Sequence, residues 1–278
     1  SAPALLRPPG TLLSAASYRD HSGMWLHRDD LFDEAVLANL AQADSSLGLF
    51  FSGRDFGSQV LGELKPSSRL VIARQNFAAD GPVPAIKLPA FGVVLELKNP
   101  KEFGPVLLAA YQTTMGIVNV DGVQKGRPQL LQQFENHNGA TIYQAKYLET
   151  PGADKQGADI LYNFRPACAT SGNYFILAST GELAKQLVDE LAKPSAATAT
   201  ADNTRVIVDL EQISQALTEN ERVLITQNML EKGNTRDEAE AEVGLLLKIL
   251  SGLGTAEMAL TPKADSLELT LEAGLPKP

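Results

Sequence analysis

The sequence predicts an α+β fold, with antiparallel sheets and helices packed mainly on one face. Three observations lead there. Short apolar runs are repeatedly followed by a helix-capping side chain and a helical pattern. Other runs alternate apolar and polar residues on either side of turn-rich breaks, as paired strands do. The spacing between these units is too irregular for a uniform solenoid. At 278 residues, 44% hydrophobic and 21% charged, the chain can bury a sizeable core in one large domain or two.

The strand-to-helix joints come in order. "GMWLHRDDLFDEAVLANLA" is the first and "FGVVLELKNPKEFGPVLLAAY" the second. "NYFILASTGELAKQLVDEL" is the third and "TRVIVDLEQISQAL" the fourth. A capping side chain closes each strand: Asp30, Asn99, Ser179 and Asp209. Three residues on stands an acid or amide: Asp33, Glu102, Glu182 and Gln212. That is capping-box spacing, in which the cap satisfies a free backbone N–H and the later side chain reaches back. Pro100 suits the first helical position of the second joint. Thr235 and Glu238 make a further box before "AEAEVGLLLKILSGLG". There Val243, Leu246, Leu247, Leu250 and Leu253 fall on one face, and Gly252 or Gly254 can end the helix.

The remaining runs read as strands. "RLVIARQNF" and "AFGVVLELK" bracket the turn-rich "AADGPVPAIKLP". "TIYQAKYL", "DILYNFRPACAT" and "NYFILAS" form a meander, and "TAEMALT" and "SLELTLEA" form a hairpin across "PKAD". In the last strand Leu267, Leu269 and Leu271 share one face and Glu268 and Thr270 the other, the pattern of a sheet with one wet face. Residues 24–98 and 205–273 both read strand, helix, helix, strand, strand. Residues 91–169 read the same way if "PQLLQQFEN" is a short helix. This order is that of a degenerate β-α-α-β-β repeat, although chance recurrence of common elements also produces it. The Ala/Thr-rich stretch at 194–203 separates an N-terminal α+β lobe or lobes, 1–193, from a C-terminal α+β lobe, 204–278, expected to pack on the first.

Charge narrows the function. The net charge is −9 and the pI about 4.9. No dense Lys/Arg cluster offers a footprint for nucleic acid or an anionic membrane surface. No apolar run approaches the roughly 18 residues of a transmembrane helix. The start, "SAPALLRPPGTLLSAAS", lacks the basic region and continuous apolar stretch of a signal peptide, and its first residue is not Met, which suggests removal of an upstream segment. Cys168 is the only cysteine, so intramolecular disulfides and CxxC sites are excluded.

Candidate chemistry is sparse. Ser179-Thr180-Gly181, between a strand and a helix, invites comparison with a phosphate cradle. A phosphate loop needs several glycines and a following Lys-Ser/Thr, and Gly181 stands alone. Ser179 with Glu182 therefore reads as a helix cap. His27-Arg28-Asp29 and Asp55-Phe56-Gly57 spell kinase triplets, but only 26 residues precede the first and no glycine-rich loop is present. His27, Asp29 and Asp33 are the metal candidates, since carboxylates suit a hard cation and imidazole a transition metal. Acids in a first helical turn also complement the helix dipole without any metal. Trp25 reads as core and His137 as part of a surface turn. Cys168 lies in a strand as a small hydrophobe. No catalytic residue and no cofactor site is assigned, for no GxSxG elbow, HExxH or dinucleotide fingerprint occurs.

Taken together, "MWLHRDDLFDE", "LPAFGVVLELKNPKEF", "GNYFILASTGELAKQLVDEL" and "NMLEKGNTRDEAEAEVGLLLKIL" resemble a group of uncharacterised bacterial proteins that are exported or membrane-anchored. The resemblance covers most of the chain, rests on structural joints and transfers no active site. It implies an extracytoplasmic location, periplasmic or secreted. The expectation is a non-catalytic exported binding or scaffold protein whose partner is a protein or a hydrophobic ligand. Two alternatives stand beside it: a carrier of a lipid or other hydrophobic molecule in a sheet–helix cavity, and a carboxylate- or metal-dependent hydrolase.

Overall fold

The computed structural model describes residues 1–77, 82–148, 156–194 and 201–274, without the side chains of 45 and 49. Strand β1 (Thr11–Tyr18) leads into helices α1 (His21–Leu26), α2 (Arg28–Leu31) and α3 (Glu34–Phe50). A π turn (Phe56–Val60) and a 3-10 turn (Leu61–Glu63) return the chain to β2 (Leu64–Ala73), β3 (Val83–Pro84) and β4 (Ala90–Leu97). After helix α4 (Pro100–Gln124) come β5 (Leu130–His137), β6 (Ala140–Tyr147), β7 (Gln156–Ala158), β8 (Ala167–Ser171) and β9 (Tyr174–Ala178). Helix α5 (Gly181–Ala192) and strand β10 (Thr204–Asp209) follow. The chain continues through α6 (Leu210–Thr218), α7 (Glu221–Lys232) and α8 (Arg236–Ser251) to the hairpin β11 (Thr255–Pro262) and β12 (Leu267–Ala273).

Ten strands form one antiparallel sheet in the order β12-β11-β10-β1-β2-β4-β9-β8-β6-β5, while β3 and β7 pair in parallel beside it. The α+β class, built on an antiparallel sheet, is as expected. The strands after residue 203 join the same sheet, because β10 pairs directly with β1. Part of the Ala/Thr-rich stretch, 195–200, lies outside the described residues. No helix among the described residues is long and apolar enough to cross a membrane.

Several assignments change. "GMWLH" is helix α1 and its continuation, and the first strand lies earlier, at Thr11–Tyr18. A short apolar run has no decisive period, so strand and helix look alike in it. "PQLLQQFEN" forms edge strand β5 and not a helix, paired along its length with β6. Residues 91–169 therefore do not repeat the strand-helix-helix order, and β4 lies beside β9 and not β5. Ile160–Asn163 is a 3-10 turn where a strand was expected.

Cross-strand register sorts the side chains into two faces. Ser14, Val71, Gly92 and Ala178 are successive partners on one face. Leu183 and Leu187 of α5 press on it so closely that a Cβ on Gly92 would sit 2.8 Å from Leu187. With Val94, Ile142, Ala167 and Ile176 they form one core cluster. Helix α6 lies on this side too, above Ile207, the partner of Ser14. The opposite face carries α4, whose Phe103, Leu107, Tyr111 and Met115 pack on Leu97, Ala145, Cys168 and Phe175. Helices α1 and α3 reach the same face over Val93 and Leu95. The helices thus divide between the two faces.

Candidate functional site

The first candidate is a groove under α1 and α3. Helix α1 starts where Asp20 Oδ1 accepts the Gly23 N–H at 2.9 Å, and α3 starts where Asp33 accepts the Val36 N–H at 3.0 Å. Between these helices and strands β2 and β4 lies an open groove of about 440 Å³. Its walls include Trp25, Phe32, Leu40, Leu61, Val93 and Leu95, and its polar members are His21, Arg28 and Ser68. Trp25 meets Phe56 edge-on, with ring centroids 4.9 Å apart. The Arg28 guanidinium lies 5.4 Å from the Trp25 ring centroid, and its Nη1 donates to the Trp25 carbonyl at 2.9 Å. Gly57 is needed here: a Cβ at that position would sit 2.7 Å from the Trp25 ring.

His21 lines the mouth of this groove, its Nε2 3.3 Å from Ser68 Oγ. Burial holds its imidazole below the ordinary value, outweighing the pull of Asp20 the other way. A neutral ring therefore faces the groove at neutral pH. Apolar walls with one neutral imidazole and one stacked guanidinium suit an apolar molecule carrying few polar groups.

The sequence-derived metal candidates do not lie together. His27 is exposed and 3.9 Å from Asp30, Asp29 is exposed, and Asp33 is occupied as the cap of α3. Among the described residues, no group of three or more His, Cys, Asp or Glu side chains converges as a metal site would. Asp55, of the kinase-like triplet, accepts from the Ser58 N–H and Oγ as a local cap. Burial raises the Cys168 thiol to about 12, so it is not a thiolate at neutral pH. His137, read as a turn residue, ends β5 and bonds Asp189 of α5 at 2.8 Å.

The Ser-Thr-Gly joint opens on a second concavity. Thr180, not Ser179, caps α5 by accepting the Leu183 N–H at 3.2 Å. Ser179 Oγ instead accepts the Phe91 N–H of β4 at 2.9 Å. The start of α5 borders a polar cleft of about 560 Å³, closed on the far side by Gln212 and Gln215 of α6. Two of its cations are paired: Arg74 with Glu219 at 3.0 Å and Lys185 with Glu135 at 2.9 Å. Arg165 makes no ion pair among the described residues, while Lys146 lies near enough to Glu135 to help hold its carboxyl below the ordinary range, behind the larger effect of Lys185.

No protein-family model, curated protein or solved structure matches this chain. The functional reading therefore rests on the two concavities. Neither was legible in the sequence, because each is lined from several separate segments. The apolar "MWL" run was the one local signal of the groove.

Proposed function

We propose that this chain is a non-catalytic binding protein that carries a hydrophobic molecule in the groove beneath α1 and α3. The observation behind the reading is the groove itself, about 440 Å³ with a floor of Val93 and Leu95 and walls of Trp25, Phe32 and Leu40. That volume lies in the roughly 300–1,000 Å³ range of small-molecule sites. Burying an acyl chain there gains about 0.8 kcal/mol per CH₂ without desolvating a charge on the floor. From the resemblance to exported proteins we also propose that this binding takes place outside the cytoplasm, which cell fractionation checks.

The chain supplies its own probe, since Trp25 is its only tryptophan. Titration with N-phenyl-1-naphthylamine should quench Trp25 emission by energy transfer, and oleate should reverse it. Phe32 is 41% exposed, so Phe32→Asp should fold yet lose most of the signal. Unchanged Trp25 emission at saturating probe, or equal binding by Phe32→Asp, would sink the reading.

A second reading is favoured by Arg165 and Lys146 in the α5 cleft: a small anion bound beside the helix start. Calorimetric titration with inorganic phosphate at low salt tests it, with Arg165→Gln as the control. Equal heats from both proteins would remove it.

A further inference from the structure

Among the described residues, a large part of the sheet face opposite α5, beyond the area under α4, α1 and α3, has no cover. Register places Leu13, Ala15, Leu70, Ile72, Phe91 and Leu177 on that face. Through Val206 and Met258 the same face continues to Leu271 at the sheet edge. These side chains do not sit in a core: Leu70 is 36% exposed, Phe91 49%, Leu177 48%, Leu269 55% and Leu271 70%. Alternation along β12 was expected to give the sheet one wet face. Both sides of β12 are exposed, the leucine side included.

We propose that a second copy of this chain covers this face, sheet against sheet. Charge is the first argument. Along this face from β9 through β4, Ser68–Ile72 of β2, β1, β10 and β11 to β12, no side chain is Asp, Glu, Lys or Arg. The opposite side of β10–β12 carries Arg205, Asp209, Glu257, Glu268 and Glu272. Two copies of a chain with net charge −9 repel one another. A charge-free face lets them meet without desolvating an ion or opposing like charges. A two-fold axis then presents the same patch from both sides, which an uncharged surface satisfies without needing complementary charges.

Extent is the second argument. Seven strands, β12 to β9 in sheet order, at about 4.8 Å spacing and about 3.3 Å per residue, make roughly 600 Å² in plan. That is at the upper end of what a monomer leaves exposed, about 300–600 Å². The accessible area of a side-chain surface exceeds its plan, so it approaches the roughly 800 Å² per partner of a stable pair. Two such faces pack about 10 Å apart in aligned sandwiches. An anionic membrane surface is a poorer occupant, since the face offers no cation to it.

Sedimentation equilibrium of the full chain tests this. The expected mass at micromolar concentration is twice 29.7 kDa, and association should tighten with added salt as charge repulsion is screened. Leu269→Glu and Leu271→Glu alter exposed side chains, so each should fold with an unchanged circular dichroism spectrum. The double variant should raise the dimer Kd at least about a hundredfold, because two-fold symmetry counts each change twice. A wild-type chain that stays monomeric at 100 µM overturns the proposal, as does a dimer indifferent to the double variant. A monomer that binds neutral phosphatidylcholine vesicles also overturns it, and assigns the face to lipid. The Trp25 titration reads the groove separately.

Discussion

Single residues show how one position alters a mechanism. Ser179 and Thr180 are adjacent hydroxyls, and only the cross-strand register decides that Ser179 serves β4 while Thr180 serves α5. Ser179 is 5% exposed, so Ser179→Ala leaves the Phe91 N–H buried without its acceptor. The expected cost is about 1–3 kcal/mol; Thr180→Ala should lose about 1 kcal/mol through the cap. Urea unfolding of both variants checks the pair. Gly57→Ala should destabilise by about 1–3 kcal/mol through overpacking and shift Trp25 emission, as the added methyl meets the ring. His21 gives a pH dependence. Its folded pKa is lowered, so the unfolded chain binds the proton more readily. The contribution of His21 to stability is therefore whole above the unfolded value, about 6.5. It declines as pH falls from there toward the folded value. Protonation also places a charge at the groove mouth, so the naphthylamine probe should bind more weakly at pH 5 than at pH 7.5. His21→Gln should flatten both trends.

At the scale of elements, local chemistry was the readable part. Asp209 accepts the Gln212 N–H at 2.9 Å, and Thr235 with Glu238 forms a complete capping box. Both motifs close within three residues, so no distant partner is needed to recognise them. Elements whose identity depends on a neighbour were misread. Strand β1, "TLLSAASY", has small residues and weak flanking signals, and it is a strand because β2 and β10 pair with both its edges. Strand β5 has Leu130 buried but Phe134 70% exposed, a pattern that an edge strand and a surface helix share. Helix α8 buries Val243 and Leu247 and half-buries Leu250, but Leu246 is exposed and Leu253 lies exposed beyond the helix end, so two of the five residues predicted for its apolar stripe are unpacked. The turn between α6 and α7 is held from afar, for Asn220 accepts the Lys87 N–H and donates to the Lys87 carbonyl, both at 2.8 Å. Asn220→Ala should cost about 1–3 kcal/mol and accelerate amide exchange at Lys87, measurable by mass spectrometry.

For the whole molecule, one sheet runs from the first strand to the last, and β10 pairs with β1 in the middle of it. Arg74 beyond β2 also bonds Glu219 of the α6 end. Heat should therefore unfold the chain in a single calorimetric transition. Two resolved transitions would show that the segment after residue 203 holds together on its own. The sequence by itself determined the α+β class, most of the strands and the caps at Asp209 and Thr235, since alternation and i-to-i+3 chemistry act over a few residues; Asp30, Asn99 and Ser179 do not cap their helices, where Asp33 and Thr180 serve instead for α3 and α5. It also placed every charge of β12 on one side of the strand. Only the tertiary structure decided which side would be covered. The leucines of β12 look like core from their spacing, and they stay exposed because, among the described residues, the helices on that face cover only its β4 and β9 side and none reaches β12. Burial belongs to the neighbours a side chain meets, and for the β12 end of this face register and topology supply none among the described residues.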